Sequence, residues 1–245
     1  MSSELEKFKA ECAANIDGME ADTTFTSVNQ AWLESSIAHR YSYNFSWMGR
    51  PIIQYPQDIV AMQELVWEVQ PDLIIETGIA HGGSLVLYAS LLHLLGGKGR
   101  VIGIDIDIRA HNRRAIEEHP MFPRITLVEG SSISAETITQ VRMLAVDSQR
   151  IMVVLDSNHT HDHVLKELEL YSPLVSKGSY VVVFDTVVEN LPAQLAGNRP
   201  WAPGNNPKNA VHAFLRTTQD FVIDRRVHEK LKITVAPDGY LKRIR

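Results

Sequence analysis

Four acidic side chains close short apolar runs in the middle of this 245-residue chain. Glu76 follows Leu73-Ile74-Ile75, Asp105 follows Val101-Ile102-Gly103-Ile104, Asp156 follows Ile151–Leu155, and Asp185 follows Ser179–Phe184. A side chain at the end of a buried parallel strand emerges at the carboxyl edge of the sheet, where open α/β folds bind ligands. Asp156 and Asp185 terminate adjacent predicted strands. Their oxygens suit a hard cation such as Mg²⁺, which keeps several waters, and Thr186 could add a further oxygen. A metal there could bind a substrate hydroxyl, lower its pKa and hold it in line with an electrophile. Either aspartate alone would serve equally well as a loop cap or a salt-bridge partner. His159 lies three positions after Asp156, and an imidazole with an ordinary pKa of about 6.5 is a suitable general base for such a hydroxyl. His161 and His163 are two apart, which does not place them on one helix face, and a surface or supporting role is their default. The same cluster leaves a zinc reading open.

A second constellation surrounds Glu76. The segment Glu76-Thr77-Gly78-Ile79-Ala80-His81-Gly82-Gly83-Ser84 follows the first core strand and opens a helix. Its glycines allow a tight turn and close approach of a ligand, and the helix start offers free N–H groups. It is not a dinucleotide fingerprint, because Ile79-Ala80 supplies no second glycine two positions on, and a pyrophosphate site is disfavoured. Asp105 at the end of the next strand can accept both hydroxyls of a ribose. Capping the following turn is its bland alternative, and Asp107 competes for the role. Glu76 can reach the amino group of a bound cofactor. Gly130-Ser131-Ser132 closes the third strand and could line an adenine edge. Gly78 with Asp105 therefore points to an adenosine-type ligand.

These residues require a scaffold of alternating strands and helices. Helical spacing runs over 57–69, 84–95, 110–119, 137–146, 163–171 and 210–217. The strands between them do not alternate in polarity, as expected for parallel strands covered on both faces. Runs at 221–224 and 231–235 read as an antiparallel pair ending the sheet. The fold class is α/β, Rossmann-like, with a mostly parallel sheet. Residues 1–56 read as an N-terminal helical cap and lead-in segment, the prolines and glycine of 48–56 arguing against a regular element there. Residues 57–245 form the main domain, with a long loop at 188–209 expected to shape a substrate pocket. Apolar residues make up 44% of the chain and charged ones 22%, the balance of a globular protein. A net charge of −5 advertises no basic face for nucleic acid. The single cysteine, Cys12, removes internal disulfides and thiolate-rich metal sites. The polar N-terminus lacks a signal-peptide core and no apolar run reaches membrane length, so a cytoplasmic location without a membrane span is expected.

As a set, Ile74–Gly78 through Gly83-Ser84, Asp105, Asp156 and Asp185 resemble class I methyltransferases. Arg50–Asp58, Leu155-Asp156-Ser157-Asn158-His159 and Val183–Thr186 are similar to segments of the cephalosporin hydroxylase family, whose relatives include rhamnosyl and macrolide-sugar O-methyltransferases. The resemblance covers roughly residues 45–190. It implies S-adenosylmethionine and Mg²⁺ as cofactors and O-methylation of a sugar or natural-product hydroxyl. Glu76, Gly78, His81, Gly82, Ser84, Asp105, Gly130, Ser131, Ser132 and Asp156 would contact the cofactor. Asp156, Asp185 and Thr186 would hold the metal, with His159 and Asp156 at the reacting hydroxyl. Some relatives present Glu-Asp where this chain has Phe184-Asp185, and catechol-type enzymes present Asp-Asn at Asp185-Thr186, so strong ligands are fewer here. The name hydroxylase does not carry over, since no iron-binding facial triad is evident. A homo-oligomer acting on a small-molecule or glycan acceptor is expected. The alternatives are a metal-independent methyltransferase and a non-catalytic nucleoside-binding protein of the same fold.

Overall fold

The computed structural model describes residues 3–195 and 197–245. Two helices, α1 (Glu4–Ala21) and α2 (Thr23–Ala38), precede a hairpin of β1 (Phe45–Trp47) and β2 (Arg50–Ile52). Then come α3 (Pro56–Val69), β3 (Leu73–Thr77), α4 (Gly83–Leu94), β4 (Arg100–Asp105), α5 (Ala110–Glu117), β5 (Ile125–Glu129), α6 (Ala135–Ala145), β6 (Ile151–Leu155), α7 (His161–Tyr171) and β7 (Tyr180–Val183). The chain ends with α8 (Pro207–Leu215), β8 (Phe221–Ile223), α9 (Arg225–Leu231) and β9 (Tyr240–Arg243). The main sheet has the order β5-β4-β3-β6-β7-β9-β8, parallel except around β9, which runs antiparallel to both neighbours. This is a Rossmann-like sheet.

Its strands read as unbroken apolar runs because both faces are buried. Ile74, Met152, Val154 and Val182 pack into one core with α3 and α4. Their chain neighbours Leu73, Ile75, Val153 and Val181 pack into the other with α7 and α8. Helix α4 is apolar almost all round, consistent with its near-complete burial. From the central strand β3 the chain first adds β4 and β5 on one side, then returns to add β6 and β7 on the other. Connections therefore leave the carboxyl end of β3 in one direction and the end of β6 in the opposite one, opening a crevice there.

Three expectations change in the structure. The run 231–235 is not a strand: α9 ends at Leu231, and Lys232 takes a positive φ of +60°. Leu231, Ile233 and Val235 alternate because they pack against the core as an irregular segment. The antiparallel partner of β8 is β9 instead. Residues 48–56 do hold a regular element, because Met48 and Gly49 (φ +44° and +84°) turn the chain tightly between β1 and β2. Pro51 is tolerated in that two-stranded ribbon, which has free edges. Within 188–209, the chain is less irregular than its composition suggests. It forms 3₁₀ turns at Thr186–Asn190 and Ala193–Leu195 and enters α8 at Pro207. Glu189 ties it down by accepting from the Gly204 amide at 2.8 Å and from the Asn206 side chain.

Candidate active site

A cavity of about 340 Å³ opens at the carboxyl ends of β3, β4, β6 and β7. Gly78, Ala80, Asp105, Asp156, Ser157, His159 and Asp185 line its floor, and Ile37, Val188 and Leu191 its outer wall. Four of the acids and glycines singled out in the sequence thus converge: Gly78, Asp105, Asp156 and Asp185. The backbone makes the approach close. Gly78 sits at φ +82°, and a Cβ there would lie 2.2 Å from the Asp156 carbonyl oxygen. Only glycine lets the β3 turn lie against the end of β6. Three non-glycine residues of the cavity wall, Arg40, Ala80 and Asp185, also have positive φ (53°, 44° and 56°). Such conformations cost energy and concentrate at functional sites.

Asp105 is held rather than free. Its two oxygens accept from the Ile79 amide at 3.0 Å and the Asp107 amide at 3.2 Å, which fixes the carboxylate beside the Gly78 turn with lone pairs to spare. Asp107 is thereby a partner of Asp105 and not a cavity residue. Glu76 is fully buried, and Ser84 donates to its Oε2 at 2.8 Å, while Oε1 has no partner. Burial pushes its pKa up to about 8, with Asp105 adding to the rise and Ser84 opposing it. A buried, unpartnered carboxyl oxygen suits a cationic ligand group.

Asp156, His159 and Asp185 bring one donor atom each within 4.8 Å of one another. The His159 Nε2 lies 3.2 Å from Asp185 Oδ2. Burial raises the Asp156 carboxyl well above the usual range, and the neighbouring Asp185, Glu76 and Glu167 charges raise it further. Two carboxylates and an imidazole this close repel or compete for protons unless a cation joins them, so the donor set fits a divalent ion. Thr186 does not join it. The residue is fully buried and its hydroxyl donates to the Pro237 carbonyl at 2.7 Å. His159 is the third member of the cluster.

Glu76 lies behind the cavity wall, and other expected contacts also fall outside it. The His81 carbonyl accepts from Arg50 Nε at 3.0 Å, and its ring meets Asn112 Oδ1 at 3.4 Å. Gly82 caps the start of α4 where a Cβ would strike Ile116 of α5, so helix packing accounts for it. Ser84 acts through Glu76. Gly130 lies against Thr137, whose Oγ1 would be 2.6 Å from an added Cβ. Ser132 leads to an array that sequence reasoning missed. Its hydroxyl is 3.0 Å from His163 Nε2, Ser157 donates to buried Glu167 at 2.7 Å, and the two pairs meet at His163. Glu167 sits one helical turn after His163, a spacing that could have flagged the pair. Gln54 was also missed. It lines the cavity, is only 3% exposed, and neither atom of its amide has a partner. Its position beside Tyr55-Pro56 gave no periodic signal.

Comparison with known proteins adds sequence and fold relatives. Residues 39–244 match the family described as rhamnosyl O-methyltransferase/CmcI. A protein of Mycobacterium tuberculosis (strain ATCC 25618 / H37Rv) named rhamnosyl O-methyltransferase is 33% identical over 213 residues, covering 84% of this chain and 83% of that protein. Its namesake from Mycobacterium leprae (strain TN) is 30% identical over 215 residues, covering 84% and 88%. Among solved structures, CmcI with Mg and SAM superposes with a TM-score of 0.58 at 20% identity, covering 83% of this chain and 78% of that one. An O-methyltransferase of Bacillus cereus in complex with SAH gives 0.53 at 15% identity, covering 87% and 88%. At these identities the structural likeness establishes the fold.

Proposed function

This chain belongs to the rhamnosyl O-methyltransferase/CmcI family and is an S-adenosylmethionine-dependent O-methyltransferase, and on that premise we propose that it methylates a hydroxyl of a sugar or natural-product acceptor beside a Mg²⁺ ion. The observation that carries the reading is one cavity lined by both Gly78 with Asp105 and the donor set of Asp156, His159 and Asp185. When bound, S-adenosylmethionine supplies an electrophilic methyl and Mg²⁺ supplies Lewis acidity.

The chain's own residues do the rest. Gly78 admits the ligand close to the β3 turn, Asp105 accepts from the ribose hydroxyls, and the free Glu76 Oε1 receives the ammonium group. Asp156 and Asp185 hold the cation. His159 takes the acceptor's proton on its imidazole ring, and Asp185, whose Oδ2 lies 3.2 Å from Nε2, stabilises the imidazolium that results. Ile37, Val188 and Leu191 exclude water around the hydroxyl. The same 4.8 Å cluster supports a second reading, in which His159 is a metal ligand. H159Q separates them: a lost base lowers kcat while Mg²⁺ affinity stays, whereas a lost ligand weakens Mg²⁺ binding.

Calorimetry with S-adenosylmethionine and a methyl-transfer assay on neutral and charged sugars, with and without EDTA, test the proposal. Full activity after complete metal removal would exclude the Mg²⁺ role. No binding of either S-adenosylmethionine or its demethylated product would sink the reading. No helix among the described residues is long and apolar enough to cross a membrane. We place the reaction in the cytoplasm and in an assembly of like chains. Exposed Leu5 and Phe8 on α1 and Val28 on α2 support the assembly, and light scattering tests it.

A further inference from the structure

The cavity is electrically polarised. Its floor holds Asp105, Asp156 and Asp185, while its mouth holds two arginines, Arg40 and Arg199. Among the described residues neither guanidinium has a carboxylate within salt-bridge distance, and what sets the two apart from the chain's other unpaired arginines is that both line this cavity. Both are set in similar ways. The Arg40 guanidinium lies over the Tyr43 ring at 4.4 Å, and the Arg199 guanidinium over the Trp201 ring at 5.8 Å. Stacking occupies the plane of a guanidinium and leaves its N–H edge free for a bidentate oxyanion. Arg40 is also one of the left-handed residues, held by the Tyr43 amide and the Asn44 side chain, which donate to its carbonyl at 3.0 and 3.2 Å. Trp201 links Arg199 to the reaction centre, meeting His159 edge-on with ring centroids 4.8 Å apart.

We propose that the acceptor carries an anionic group, a carboxylate or a phosphate ester, which Arg40 and Arg199 grip at the cavity mouth while its hydroxyl reaches His159 at the floor. The proposal rests on the methyltransferase reading and names the substrate class for it. The charge distribution also orients the acceptor. The arginine pair at the mouth favours the orientation in which the anionic end stays outward and the hydroxyl end reaches the Asp156, His159 and Asp185 cluster. Between the two poles Ile37, Val188 and Leu191 present an apolar wall suited to the face of a sugar ring. In a chain with a net charge of −5, the unpaired arginine pair also offers an incoming anion a local target.

The test uses the full chain saturated with S-adenosylhomocysteine and Mg²⁺. Calorimetry compares galacturonate with methyl galactoside, and glucose 1-phosphate with methyl glucoside, each at low and high salt. At least one anionic probe is expected to bind tenfold or more tightly than its neutral counterpart, with the advantage shrinking in high salt. R40Q/R199Q is expected to erase it, and R199Q alone to cost roughly tenfold, the scale of one charge-assisted hydrogen bond. Both arginines are exposed, and unchanged S-adenosylhomocysteine affinity certifies that the variants are folded. Equal binding of charged and neutral probes, including no binding of any, overturns the proposal, as does an advantage that survives in R40Q/R199Q. Failure to bind S-adenosylhomocysteine overturns the methyltransferase reading as well, whereas its retention without anion preference overturns the acceptor assignment alone.

Discussion

Replacing Glu76 with glutamine should stabilise the empty protein and cripple its cofactor binding. The Glu76 carboxyl is fully buried, and burial raises its pKa from 4.5 to about 8. A carboxyl raised on folding reverses the usual sign. The folded state prefers the protonated form, so the Glu76 contribution to stability is greatest below pH 4.5 and falls as pH climbs toward 8. At about 1.4 kcal/mol per pH unit, burying Glu76 costs the fold roughly 3 kcal/mol at pH 7, where the folded group keeps a proton the unfolded chain has lost, and about 5 above pH 8, where it is buried ionised. Glutamine carries no charge to bury and still accepts from Ser84, so E76Q escapes that cost. Urea unfolding of EDTA-treated, cofactor-free protein should find the two proteins within about 1 kcal/mol at pH 5. At pH 8.5 E76Q should be the more stable by several kcal/mol, with its melting point up by roughly 6–12 °C. Calorimetry should show the opposite order for S-adenosylmethionine, weakened about tenfold or more, because an amide cannot neutralise the ammonium. The wild-type protein should also release a proton on binding below pH 8. Parallel pH–stability curves for the two proteins, or undiminished cofactor affinity in E76Q, would refute the reasoning.

Three further perturbations probe other parts of the site. G78A drives a Cβ into the Asp156 carbonyl, whereas G178A has the same φ of +82° with open space around it. Thermal unfolding should show a loss of about 1 kcal/mol for G178A and clearly more for G78A, which should also stop binding the cofactor. Mg²⁺ should raise the wild-type melting point, by the equivalent of about 2.7 kcal/mol at one hundred times its Kd, and D185N should lose that shift. Asp58 is buried and accepts from Thr234, the Val235 amide and the Tyr240 hydroxyl, pinning the segment after α9 to α3. D58A strands these donors and should cost about 3 kcal/mol or more in urea unfolding, with T234A costing less.

The parts of the site that sequence reasoning reached share one property: they follow buried parallel strands. An apolar run that stops at a charge marks both the end of a strand and the edge of the sheet, so Asp105, Asp156 and Asp185 could be placed before their neighbours were known. Where polarity has a local explanation, that logic loses force. Thr186 follows Asp185 directly, yet the left-handed backbone at Asp185 sends its hydroxyl to Pro237. His81, Gly82 and Gly130 sit in the expected turns, and each is explained by packing against another element. Leu231–Val235 shows the converse failure, an alternating pattern produced by an irregular chain lying on the core. A period of two reports which side chains are buried, and strand pairing is only one way to bury them.

The mouth of the cavity was illegible for a deeper reason. Arg40 and Arg199 are 159 positions apart and lie in segments without periodicity, so nothing local distinguishes them from ordinary solvated arginines. Their meaning comes from lining one cavity together and from the acids that line its far end. Neither property belongs to a residue or a motif. The strand ends are set by the sheet, which the hydrophobic pattern encodes, whereas the acceptor pole is set by how the N-terminal helices and the 188–209 loop meet above it. On such a scaffold the cofactor end is therefore the part that sequence reveals first. The acceptor end, where relatives on one fold can diverge, has to be read from charges and cavities in three dimensions.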